Sequence, residues 1–262
     1  MRIFAVSDLH TDFQENWLLL TQLPDTEHQE DVLIVAGDIA DGLEAIQGTL
    51  ALLRAKFLHV FYTPGNHELW ARNGAGNSVE KLSRVLDLCD VLGIHTRPAR
   101  VGACWVVPLF SWYDPSFDVD NSADMVQLAG WSDFPLCKWP QEIGGVAEFF
   151  LKMNEVNLKD YDASVISFSH FLPRRDLLPP TANLRFKGLP KVAGCLSLED
   201  QIRRLHSSVH VFGHSHISCD RVIDRIRYVQ NPLRYPRERA VPGFSLKMIW
   251  NSDDPLPDHV TA

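Results

Sequence analysis

Short apolar runs rich in β-branched residues alternate along the chain with longer stretches in which apolar residues recur at helical spacing, the pattern of a layered α/β fold. The runs that predict strands are Ile3 to Val6, Val32 to Ala36, Leu58 to Tyr62, Cys104 to Leu109, Val165 to Phe168, Val209 to Phe212, Ile226 to Val229 and Phe244 to Trp250. Helical spacing predicts helices over Asp12 to Leu23, Leu43 to Phe57 and Val79 to Leu92, the last with Asn77 and Ser78 as candidate caps and Gly93 as its stop. The first half thus reads β-α-β-α-β-α-β. A further helical pattern runs through Val146, Phe149, Phe150, Met153 and Val156, and Ser197 to Leu205 reads as a helix capped by Ser197 with Asp200 three residues on.

The alternation breaks after Leu109. From about residue 111 to 140, Trp112, Tyr113, Phe117, Trp131, Phe134 and Trp139 stand among Asp, Ser and Pro, which reads as a long ordered loop or cap packed on the sheet. From about residue 251 the chain turns polar and proline-bearing, and a fraying tail is expected. No repeat or linker divides the chain, so residues 1–262 read as one domain. At 262 residues and 45% hydrophobic composition it can bury a sizeable core.

Charge and cysteines narrow the setting. A formal net charge of −8 argues against a broad basic face, so neither nucleic acid nor an anionic membrane is an expected partner. The five cysteines (Cys89, Cys104, Cys137, Cys195, Cys219) are scattered, odd in number and without CxxC spacing, as expected of reduced thiols in a cytoplasmic protein. The chain reaches Ser7-Asp8 too soon for the apolar core of a secretory signal, and no apolar run approaches the roughly 20 residues of a spanning helix.

The candidate chemistry sits at the ends of the apolar runs. The first ends in Asp8-Leu9-His10, the second in Gly37-Asp38-Ile39-Ala40-Asp41, the third in Gly65-Asn66-His67-Glu68, and later ones in Ser169-His170 and Gly213-His214-Ser215-His216. Ligands of open α/β sheets bind beyond the carboxyl ends of the strands, so these residues are expected to converge. Two carboxylates, one amide and four histidines form a nitrogen and oxygen donor set suited to zinc, manganese or iron, and too many donors for one tetrahedral ion. They suit two ions about 3.5–4 Å apart that share a carboxylate.

The ordered series Asp8-x-His10, Gly37-Asp38-x-x-Asp41, Gly65-Asn66-His67-Glu68, His170 and Gly213-His214-x-His216 resembles the signature of the calcineurin-like metallophosphoesterase superfamily. The resemblance implies a four-layer α/β/β/α sandwich with two central mixed sheets. It implies one metal on Asp8, His10, His216 and a bridging Asp38, and a second on Asp38, Asn66, His170 and His214. His67 matches the non-ligand histidine that faces the leaving group, and Asp41 the carboxylate that orients it and raises its pKa. The implied reaction is attack on phosphorus by a hydroxide bridging two divalent ions (Mn, Fe or Zn), with His67 assisting the leaving group. Glu68 is assigned a structural part, Asn231-Pro232 a turn near the site, and His28, His59, His95, His206 and His210 packing or surface positions.

Arg174 and Arg175, just after His170, and Arg72, just after the third block, are candidate substrate-binding cations. Gly42 and Pro64 stand where protein serine/threonine phosphatases of the superfamily carry phosphate-clamping arginines, which disfavours that branch. His67 stands where the lipid A branch has arginine, and the length and acidity do not suit the DNA-processing branch. The expected activity is therefore hydrolysis of a small organic phosphate, diester or monoester. The alternatives are a non-catalytic scaffold of the same fold, as in the retromer subunit that resembles it, and a phosphoprotein phosphatase.

Overall fold

The computed structural model describes residues 1–72, 76–239 and 243–252. Its strands are β1 (Arg2–Val6), β2 (Val32–Ala36), β3 (His59–Thr63), β4 (Ala99–Val101), β5 (Cys104–Pro108), β6 (Ser164–Phe168), β7 (Ser207–Val211), β8 (Cys219–Ile223), β9 (Ile226–Gln230) and β10 (Lys247–Asn251). They form two mixed sheets, ordered β10-β1-β2-β3 and β4-β5-β6-β7-β9-β8. β1, β2 and β3 run parallel, as do β5, β6, β7 and β9, while β10, β4 and β8 pair antiparallel at the edges. The helices are α1 (Gln14–Thr21), α2 (Leu43–Lys56), α3 (Ser78–Leu92), α4 (Met125–Leu128), α5 (Asp133–Leu136), α6 (Val146–Asn154) and α7 (Ser197–Arg204).

The two-residue period of the strands explains the layering. Ile3, Ala5, Val32, Ile34, Ala36 and Phe61 face Val106, Ile166, Phe168, Val209, Val211 and Val229 in a core between the sheets. Their neighbours Phe4, Val6, Leu33, Val35, Val60 and Tyr62 face the other way, onto Ile46, Leu50 and Leu53 of α2 and Val85 and Cys89 of α3. Val107, Val165 and Tyr228 on the outer face of the second sheet pack with Phe150 of α6 and Leu198 and Ile202 of α7. Because β1, β2 and β3 are buried on both faces, they read as unbroken apolar runs rather than alternating ones. The result is the four-layer α/β/β/α sandwich.

Local expectations fared unevenly. In α3 the Asn77 side chain accepts from the Val79 and Glu80 amides, and Gly93 ends the helix at φ 67°, as the sequence predicts. α1 is shorter than expected, and its N-cap, Phe13, offers no side-chain acceptor. Ser197 does not cap α7: Leu196 holds that position, and the amides of Leu198 and Glu199 bond the Cys195 and Leu196 carbonyls instead. β4 and β8 were not predicted; β4 has three residues, and β8 is largely exposed at a sheet edge. Residues 111–140 hold α4 and α5, with Trp112, Phe117 and Leu128 buried against the second sheet and Trp112 edge-on to Trp139 at 4.9 Å. The expected tail begins with the end of β10, and from residue 253 on it lies outside the described residues. Among the described residues no helix is long and apolar enough to cross a membrane.

Candidate metal centre

The carboxyl ends of β1, β2, β3, β6 and β7 converge. Asp8, His10 and His216 bring ligand atoms within 4.8 Å of one another, as do His10, Asp38 and His67, and Asp38, His170 and His214. The Asn66 Oδ1 joins the last group, 3.2 Å from His170 Nε2 and 3.0 Å from His214 Nδ1. The backbone is bent to bring them in. Asp8, His10, Asp38, His214 and His216 all have positive φ, between 44° and 72°, a conformation unfavourable for L-residues that persists where the surroundings enforce it.

Two features enforce it. Glu68, fully buried, accepts from the amides of Asp38 at 3.2 Å, Ile39 at 2.5 Å and Gly65 at 2.7 Å, tying the loop after β2 to the loop after β3. Glycines then make room: a Cβ at Gly65 would meet Asp38 Oδ1 and lie 2.7 Å from His170 Cε1, and one at Gly213 would lie 2.7 Å from the Ala36 carbonyl oxygen. Glu68→Ala leaves three buried amides without acceptors. Relief of charge beside Asp38 offsets part of this, and a net loss of about 2 kcal/mol is expected in denaturant unfolding of the metal-free protein. A loss below about 0.5 kcal/mol would show that other acceptors replace the carboxylate.

Hydrogen bonds behind three of the candidate ligands fix how they face the centre. His170 Nδ1 lies 2.9 Å from the Ala36 carbonyl and must donate to it, so the lone pair of its Nε2 points inward. His216 Nδ1 donates to Glu238 Oε2 at 2.6 Å, which turns its Nε2 lone pair toward His10 Nε2 at 3.0 Å and Asp8 Oδ1 at 3.5 Å. Asn66 donates its Nδ2 to Asp133 at 2.9 Å, so its oxygen faces the centre. His170, His216 and Asn66 thus point acceptors into a buried space, and the His10 Nδ1 and His214 Nε2 atoms have no protein partner, an arrangement that a cation in the centre would satisfy. The donor set and its outer hydrogen bonds fit hard or borderline divalent ions.

Burial dominates the electrostatics. It holds His10, His67 and His214 well below the usual imidazole range, reinforced by neighbouring imidazoles, and lowers His170. Burial also pulls on His216, but the Asp8 and Glu238 carboxylates outweigh it and the net direction is upward. Asp38 is pushed well above the carboxylate range by burial and by the Glu68 and Asp8 charges. Neutral imidazoles are the ligating form.

The outer positions differ from expectation. Asp41 makes no hydrogen bond to His67; its carboxylate takes Arg72 Nε at 2.8 Å, and Arg72 lies over Trp70, whose indole packs on the His67 ring at 3.8 Å. Asp41 therefore reaches His67 only through a stack, and His67 is lowered rather than raised. His67 Nε2 instead meets the Tyr235 hydroxyl at 3.1 Å. Arg174 is held by Asp176, Glu199 and Asp224, and with Arg175 it lines a separate groove of about 1010 Å³. The metal-centre cleft, about 850 Å³, is lined instead by Arg185, Arg234 and Arg237, together with Trp131, Phe186 and Tyr235. His210 lies between the Ser167 and Ser169 hydroxyls, its pKa drawn down to about 3 by burial, and serves packing. Asn231-Pro232 is not a turn: it runs on from β9 beside the site, Pro232 bridging parallel to Ser7 and the Asn231 carbonyl accepting from Ser7 N at 3.1 Å.

Sequence reasoning missed Asp133, Glu238 and Tyr235, which carry no motif. The one available signal for Asp133 was its place between the aromatic residues of the cap.

Similarity to known proteins agrees with this arrangement. The chain is 28% identical over 283 residues to the acyl-carrier-protein phosphodiesterase PptH of Mycobacterium tuberculosis, covering 98% of this chain and 83% of that protein. The crystal structure of phosphopantetheinyl hydrolase (PptH) from Mycobacterium tuberculosis superposes with a TM-score of 0.80 at 26% identity, over 98% of each chain. The calcineurin-like phosphoesterase model matches residues 1–218. A match that runs through every strand end from Asp8 to His216 shows that this chain belongs to the calcineurin-like phosphoesterase family and is an enzyme that hydrolyses phosphoric esters.

Proposed function

We propose that the chain is a phosphodiesterase that uses two divalent cations to hydrolyse the bond between a phosphopantetheinyl group and an acyl carrier protein. The observation that carries the chemistry is the buried centre into which His170, His216 and Asn66 point acceptors, the two imidazole tautomers set by the Ala36 carbonyl and Glu238 and the amide turned by Asp133. The substrate class rests on likeness to a relative named for that carrier-protein diester, over nearly the whole of this chain.

In this reading Asp8, His10, His216 and Asp38 hold one cation, and Asp38, Asn66, His170 and His214 hold the other. Manganese, iron and zinc all suit the donors. Bound there, divalent cations supply Lewis-acid activation of water and neutralise phosphoryl charge. The chain's own part is to orient and to stabilise. Asp133 keeps the Asn66 oxygen inward, and Glu238 does the same for His216 Nε2. His67, in the cleft wall beside Asp38, meets the oxygen that departs with the leaving group. Arg185 and Arg237, exposed at the same cleft, offer positive charge to an anionic diester. The five free thiols suit a cytoplasmic enzyme.

The sequence alone favours a small organic phosphate over a macromolecule; a protein-borne diester departs from that expectation while keeping the chemistry. The test has two parts. On metal-stripped protein reconstituted with manganese, kcat/KM for bis-p-nitrophenyl phosphate is expected to exceed that for p-nitrophenyl phosphate. Incubated with phosphopantetheinylated acyl carrier protein, the enzyme is expected to lower the carrier's intact mass by one phosphopantetheinyl group. An unchanged carrier beside rapid diester cleavage would return the substrate to a small diester, and a ratio well below one would make the enzyme a monoesterase.

A further inference from the structure

The groove that holds Arg174 adjoins the metal centre. Pro179 and Ile217 line both the groove and the cleft, and Ser218 on the groove side accepts from Arg234 on the cleft side at 2.7 Å. Its walls run on from two strand ends that carry candidate ligands: Pro173 to Pro180 follows His170, and Ile217 to Arg221 follows His216 into β8. Both strand ends belong to the second sheet, whereas His67 follows β3 of the first. At about 1010 Å³ the groove stands at the top of the roughly 300–1,000 Å³ range of small-molecule sites. Its lining differs from that of the cleft. Val119 and Leu196, 59% and 36% exposed, offer apolar surface together with three prolines. Five carboxylates stand against three guanidinium groups. Arg174 is taken up by Asp176, Glu199 and Asp224, and Asp220 by Arg227 and Lys247, each at 2.8 Å. The excess of negative charge repels an anion, so the groove suits an uncharged, partly apolar chain, while the exposed Arg185 and Arg237 of the cleft suit the anion itself.

We infer that this groove holds the pantetheinyl arm of the substrate while the phosphate lies at the metal centre. The inference rests on the carrier-protein diester proposed above. The arm is uncharged and extended, with a geminal dimethyl group, two amides and a terminal thiol. It is covalently continuous with the phosphate, as the groove is continuous with the cleft at Pro179 and Ile217. Hydrolysis breaks the P–O bond on the carrier side, adds the oxygen of water to phosphorus and puts a proton on the carrier's oxygen, so the arm stays with the phosphate. A groove built on the second sheet holds that retained arm away from His67 on the first, where the carrier's oxygen departs.

The test uses two p-nitrophenyl diesters that share a leaving group and differ in the retained arm, pantetheinyl or methyl, with phosphopantetheinylated acyl carrier protein beside them. The manganese-loaded enzyme is expected to favour the pantetheinyl ester about tenfold in kcat/KM, the worth of burying roughly 50 Å² of apolar surface. Val119→Trp and Leu196→Trp each put an indole into the groove from an exposed position and are expected to bring that preference below about twofold and to slow carrier cleavage in parallel. Both esters are measured on one preparation, so the ratio does not depend on how much of a variant is folded. A preference absent from the parent, or kept in both variants, would overturn the inference. Slower carrier cleavage with the preference intact would overturn it too, giving the groove to the carrier's own surface. If the parent cleaves the carrier in any of these cases, the substrate reading stands and this inference alone fails. A carrier left intact beside a preference that the variants abolish keeps the arm in the groove and removes the carrier from the reading.

Discussion

His67→Ala is expected to keep its metal and lose about a hundredfold to ten-thousandfold in kcat, the usual worth of a positioned acid–base or hydrogen-bonding group. The proposed ligand set does not include His67, and the loop that carries it survives the substitution. The amide of residue 67 bonds Asp38 Oδ1 at 3.1 Å through the backbone, and Glu68 still ties Gly65 to Asp38 and Ile39. Metal analysis decides the matter, because the His67 ring also has a nitrogen within 4.8 Å of ligand atoms of His10 and Asp38. Loss of a metal equivalent would make His67 a ligand, and full activity would remove it from the reaction. The Trp70 indole, which covers the ring, is expected to limit collapse into the space left behind.

Asp38→Asn is expected to abolish activity and to move stability in opposite directions with and without metal. Asp38 lies between the two proposed ion positions, its Oδ1 3.5 Å from His170 Nε2 and its Oδ2 3.8 Å from His67 Nε2. It is buried with Glu68 and Asp8, so an asparagine that keeps the acceptor for the His67 amide removes a charge that has no bulk solvent around it. The metal-free variant should therefore unfold at a higher temperature than the metal-free parent. A cation at 1,000 times its Kd stabilises the parent by about 4 kcal/mol, and the variant is expected to lose most of that gain. Thermal unfolding of both proteins with and without manganese reads the two effects together. A metal-induced shift in the variant equal to the parent's would exclude Asp38 as a shared ligand.

The convergence of the candidate ligands was legible because each sits at the end of an apolar run, where parallel strands deliver their residues to one edge. Asp8, Asp38, Asn66, His170 and His214 come from five such ends, and their short motifs carry the resemblance. The layers were legible for the same reason, since β1 to β3 are apolar on both faces. The outer partners were not. Asp133 and Glu238 reach Asn66 and His216 from loops whose course depends on tertiary packing, and neither has a spacing that marks it. The ion pairs of Arg174 were hidden for a related reason: Glu199 and Asp224 are distant in sequence, and only the fold brings them to its guanidinium. β8 was hidden because an exposed edge strand has little apolar pattern, and its turn to β9 uses Asp224 and Arg225 at φ 48° and 69° in place of glycine.

The segment from Asn231 to Arg239, whose Leu233 and Arg234 amides bond the Ser7 and Asp8 carbonyls, also bears on how the enzyme is made. Asp8 and His10 come first among the candidate ligands, yet the strand that leads to them gains its antiparallel neighbour only when β10 has been synthesised, with Arg2 opposite Asn251. His216 is held in its ligating tautomer only once Glu238 exists. These partners follow the last candidate donor in the chain, so metal retention is expected to depend on completion of the fold rather than on emergence of the motifs. A product truncated after His216 would contain every candidate ligand and is expected to retain less metal than the full chain.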